Sequence, residues 1–112
     1  GGQYVMCENS QNGLDAINEL RALLGLENIV PPWHNRYLRD EEVAGAEIKN
    51  ARLVRVIDYS STYYLLSRVL NAALASAEGK QPEYNAAINR LALHLPPIGN
   101  LGQGRIWLWE RI

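Results

Sequence analysis

The sequence predicts a mainly α domain: a bundle of three or four helices closed by a short C-terminal β-strand. Three observations carry that expectation. Val43 to Glu78 is a proline-free stretch of 36 residues with one interior glycine, Gly45, and much of the chain's aliphatic bulk. Two further segments show apolar residues at helical spacing between turn residues. After Pro96-Pro97 the pattern changes abruptly to strict alternation.

Gln3 to Glu8 (QYVMCE) is a short apolar piece, either an edge strand or the last turn of a helix. Beyond the turn-rich Asn9 to Gly13, a helix is expected from Leu14 to about Leu24. Asn12 is its N-cap, Asp15 lies in its first turn, and Gly25 is its stop. Its face to bury is Ile17, Leu20, Leu23 and Leu24. Pro31-Pro32 forbids helix and holds an extended connection into the loop Trp33-His34-Asn35-Arg36-Tyr37. Asp40, Glu41 and Glu42 then stand where a helix N-terminus favours negative charge.

The central segment reads in two halves. From Ser60 onward Tyr63, Leu65, Leu66, Val69, Leu70, Ala72, Ala73, Leu74 and Ala77 share one helical side, with Ser60, Ser61, Ser67, Arg68 and Asn71 on the other. In the first half, Leu53, Val54, Val56 and Ile57 form a run rich in β-branched residues that suits a strand. Ala46, Leu53, Val54, Ile57 and Tyr64 also share a helical face. A continuous helix would therefore be buried on two sides, or break near Ser60 to Thr62, residues that suit a cap.

Gly79 ends this helix, and Pro82 opens another whose apolar positions are Tyr84, Ala87, Ile88, Leu91 and Leu95. Residues 98–112 form a turn and a terminal strand. Arg105 to Ile112 sets Ile106, Leu108, Glu110 and Ile112 against Trp107, Trp109 and Arg111. A lone strand is unstable, so it must pair, with Tyr4 to Cys7 or with another chain.

Residues 1–112 are expected to form a single domain, and the missing initial methionine fits a piece of a longer signalling protein. A net charge of −1, without basic runs, gives no electrostatic footprint for nucleic acid. No apolar run approaches the ~20 residues that span a bilayer. The single cysteine, Cys7, forms no internal disulfide, and with no signal-peptide pattern a cytoplasmic setting is expected.

Site chemistry is sparse. The two histidines, His34 and His94, have no second His or Cys at ligand spacing. Cys7 has no basic neighbour to lower its pKa and reads as a buried, inert thiol. Gly99 to Gly104 (GNLGQG) lacks the flanking strand, helix and lysine of a phosphate loop. Asp58 stands out, because an acid beside Val56 and Ile57 is costly to bury unless paired. The bland alternative is a solvent-side aspartate, or one bonded to Arg55 or Thr62.

The succession WHNRY, LRDEEVAGAEIKNARLVRVIDYSSTYYLL and PEYNAAINRLALHLPPIGNL resembles the C-terminal half of HD-GYP domains. These HD-superfamily phosphodiesterases hydrolyse cyclic di-GMP and often serve as response-regulator output modules. Ala51-Arg52-Leu53-Val54-Arg55-Val56-Ile57-Asp58-Tyr59 follows the family's A-R-I-L-x-V-x-D-x-[FY] helix, and Glu41-Glu42 and Gly45 precede it as in the family. Ile98-Gly99-Asn100-Leu101 resembles the segment that closes the domain. The resemblance implies a central segment helical throughout, with His34 at the second histidine of the His-His-Glu stretch and Asp58 at a late metal ligand.

The departures are equally specific. The Gly-Tyr-Pro loop and the His-Asp doublet have no counterpart, Trp33 and Asn35 replace ligands, and Asn9 stands where a third histidine belongs. With only His34 and Asp58 left, the resemblance implies a degenerate, non-catalytic regulatory domain. It would act through a protein partner or an upstream receiver domain, with no cofactor. Trp107 and Trp109 are the expected partner surface, unless they cap the domain's own core. One alternative is the back half of an active phosphodiesterase that uses a divalent metal. Another is a small helical adaptor that forms a homodimer through its C-terminal strand.

Overall fold

The computed structural model describes residues 2–112. It corrects the fold class. The chain builds a three-stranded antiparallel sheet accompanied by short helices, not a helical bundle. The strands are β1 (Gln3–Asn9), β2 (Ala51–Ile57) and β3 (Gly104–Arg111), in the order β1-β3-β2.

The miss lies in Val43 to Glu78. Its first part is not helical throughout, because Ala51 to Ile57 is β2 and pairs with Ile106 to Arg111 of β3. Val54, Val56 and Ile57 suit a pleated surface, and pairing with β3 decides for strand over helix. A bulge between Leu53 and Arg55 shifts the register.

Helix α1 runs Gln11–Leu23. Its N-cap is Ser10, whose Oγ accepts from Gly13 N at 3.1 Å, in place of Asn12. Leu14 and Ile17 are buried, while Leu23 and Leu24 are exposed. Gly25 takes a left-handed φ of 71°, the stop expected there. The short α2 spans Asp40–Gly45 with its three acids in the first turn.

From Ser61 the chain is helical to Ala77: α3 (Ser61–Tyr64), a π-helical turn (Leu65–Leu70) and α4 (Asn71–Ala77). The break before Ser61 falls where a cap was expected, but the burial does not follow the apolar stripe. Ser61, Thr62, Ser67 and Asn71 are buried, while Leu70 and Leu74 are exposed. The reason is backbone satisfaction. Ser61 and Thr62 donate to Ile98 O and Pro96 O, and accept from Leu101 N and Ile98 N at 2.9 and 2.8 Å.

The helix expected from Pro82 to Leu95 shrinks to α5 (Ala87–Arg90) and a 3-10 turn, Leu91–His94. Asn89 Nδ2 donates to Tyr84 O at 3.1 Å, a local bond that competes with helix. Tyr84 is exposed in consequence.

Two packed regions result. Trp107 and Trp109 of β3 meet Val43 of α2, with Met6, Leu38, Ile48 and Leu53 around them. Leu14 and Ile17 of α1 belong to the second, where α1 meets the π-helical turn that carries the buried Leu66 and Val69. The radius of gyration is 16.1 Å. A compact chain of this length has about 13 Å, so the molecule is extended and leaves much apolar surface uncovered. No helix of the described residues is long and apolar enough to cross a membrane.

Candidate functional site

The sheet places its side chains on two faces. Arg105, Trp107 and Trp109 share one, together with Tyr4, Met6 and Glu8 across β1. Val5, Cys7, Ile106 and Leu108 share the other. Parity alone puts Arg105 with the tryptophans, a signal the sequence contained.

Arg105 is the charged residue that sequence reasoning missed. Its side chain is 6 % exposed. Nη1 donates to Asp40 Oδ2 and Nη2 to Asp58 Oδ2 at 3.4 Å. Asp58 Oδ2 also accepts from Gly102 N at 3.0 Å, and Asn12 Oδ1 accepts from Asp40 N at 2.9 Å. This cluster ties α1, α2, the end of β2 and the start of β3 together. It borders a polar recess of about 470 Å³.

Asp58 is therefore neither on the solvent side nor bonded to Arg55 or Thr62. His34 sits exposed in the 31–37 loop, its ring edge-on to Trp33 at 5.5 Å. Of the two residues that the active-phosphodiesterase alternative would use for a divalent metal, Asp58 has its Oδ2 engaged by Arg105 and Gly102 N and its Oδ1 buried without a partner among the described residues, and His34 lies apart from this cluster in the exposed 31–37 loop. Among the described residues no three His, Cys, Asp or Glu side chains group as metal ligands.

Trp107 and Trp109 are 0 % and 3 % exposed and fill the domain's own core, so the partner surface expected at this pair does not lie on the outside. The exposed tryptophan is Trp33, at 96 %. Cys7 is exposed instead of buried, its Sγ 3.6 Å from the Tyr59 hydroxyl. That hydrogen bond, followed by burial, raises the Tyr59 pKa above its ordinary value. Burial raises Tyr64 as well, opposed by Arg68 over its ring. Tyr59, Tyr63, Tyr64 and Tyr84 line an open cavity of about 590 Å³ with Asn89 and Arg90.

β3 is central and bonded along both edges, so it has no edge to offer a second chain. That corrects the strand through which dimerisation was expected. The free edges belong to β1 and β2. The β1 edge is seven residues long, carries neither proline nor lysine, and is met by Leu38 at its Asn9 end. β2 is blunted by its bulge and by Arg52 and Arg55.

Comparison with protein-family models, with curated proteins and with solved structures gave no match.

Proposed function

We propose that the chain is a non-catalytic regulatory domain that works through protein contacts, made by the β1 side of its sheet. One observation carries this reading. The outer edge of β1 and one adjoining sheet face present apolar groups together: Val5 is 58 % exposed, and Ile57, Ile106 and Leu108, on the same face, are only half-buried. Exposed, unguarded edge strands are templates for pairing, and apolar sheet faces for packing. The lost ligand motifs agree with it: Trp33 and Asn35 stand at ligand positions of the family the sequence resembles, and Arg105 engages Asp58.

The test is turnover. The purified chain, incubated with cyclic di-GMP and iron or manganese, is expected to produce no linear or mononucleotide product. Hydrolysis that disappears on changing both His34 and Asp58 to alanine would overturn the non-catalytic reading.

A further inference from the structure

We infer that the β1 edge pairs with a second copy of this chain, in an antiparallel register with Val5 on the two-fold axis. The inference rests on the contact reading above and names the partner.

The backbone fixes which groups are free. Gly2 O accepts from Arg111 N and Ser10 N donates to Gln103 O, so the even-numbered residues of β1 bond inward to β3. Gln3, Val5, Cys7 and Asn9 therefore turn their N–H and C=O groups outward. Asn9 is already engaged, because its carbonyl accepts from Leu38 N at 2.9 Å in a parallel bridge. Among the described residues, Gln3, Val5 and Cys7 remain without a backbone partner on that side.

These three positions are symmetric about Val5. An isologous pairing sets Val5 against Val5 of the second copy, and Gln3 against Cys7 of the second copy in both directions. Each pair exchanges two backbone hydrogen bonds. A register centred on Met6 instead sets Gln3 against Asn9, whose carbonyl Leu38 already holds.

The side chains agree with the Val5 register. Tyr4 faces Met6 of the second copy on the tryptophan side, an aromatic–thioether pairing made twice. Glu8, the one charged residue of β1, lies opposite Gly2, so no like charges meet. Tyr4 and Val5, over half exposed in one chain, become covered. The result is a continuous six-stranded sheet, two copies of β2-β3-β1 joined at the unguarded edge.

Light scattering on the whole chain is expected to give the mass of a dimer. Gln3→Cys with native Cys7 is expected to oxidise in air to a disulfide-linked dimer, because the two positions lie directly opposite. Gln3→Cys in a Cys7→Ser background is expected to form none, since equal positions other than Val5 lie residues apart. A monomer by light scattering overturns the inference. So does a dimer in which Gln3→Cys fails to cross-link, or cross-links without Cys7. A monomer leaves the contact reading intact, which falls only to hydrolysis.

Discussion

Gly13 of α1 packs backbone to backbone against Gly102, so closely that a Cβ on Gly13 would lie 1.9 Å from the Gly102 carbonyl oxygen. The reverse side of the same loop is as tight: a Cβ on Gly102 would meet Asp58 Oδ1 at 1.8 Å. Helix propensity favours alanine over glycine at Gly13 by about 1 kcal/mol, but backbone overlap cannot be relieved by a rotamer change. Gly13→Ala is expected to lose roughly 2–3 kcal/mol, and Gly102→Ala a similar amount because it would displace the buried Asp58 side chain from Arg105, both read from urea unfolding midpoints at constant slope. An unchanged midpoint would contradict this packing.

The Asp58 carboxylate joins that contact to Arg105. Asp58→Ala leaves Gly102 N and Arg105 Nη2 without an acceptor while Asp40 still pairs Nη1, so it is expected to cost about 1–3 kcal/mol. Asp58→Asn keeps an acceptor for Gly102 N and is expected to cost less. His34→Ala, at an exposed loop position, is expected to stay within about 0.5 kcal/mol. Equal losses for Asp58→Ala and His34→Ala would contradict the placement of both.

The three tryptophans separate by burial. Iodide is expected to quench Trp33 alone, so that Trp33→Phe removes nearly all quenchable emission. Trp107→Ala is expected to cost about 3–5 kcal/mol. Strong residual quenching in the Trp33→Phe protein would place Trp107 or Trp109 on the surface after all.

Tyr59 and Tyr64 both have pKa values raised above the ordinary 10.0, so the fold favours their neutral hydroxyls. The stability they contribute is fully present below the unfolded value and is lost as pH rises through the folded one. Unfolding midpoints are expected to fall as pH rises from about 10 through the raised folded values, less steeply in Tyr59→Phe. An alkaline slope the same in both proteins would contradict the Cys7–Tyr59 hydrogen bond as its cause.

The sequence announced some of this and concealed the rest for physical reasons. Arg105 to Ile112 alternates, and β3 is a strand. Gly25 and the break before Ser61 also fall where turn chemistry puts them. Leu53 to Ile57 satisfies both a helical and a pleated pattern, and only pairing with β3, distant in sequence, decides it. Burial of Ser61, Thr62 and Asn71 over Leu70 and Leu74 is set by loop carbonyls that no periodicity reveals. Asp58 was visible as an anomaly, but its partner Arg105 became visible only with the fold.

The most direct test of a contact-forming β1 edge is amide hydrogen exchange along β1, measured from micromolar to near-millimolar chain concentration. Met6, bonded to β3, is expected to be protected throughout, while Val5 and Cys7 exchange fast when dilute and slow markedly as concentration rises. Exchange at Val5 and Cys7 that stays fast at every concentration would contradict the self-paired edge.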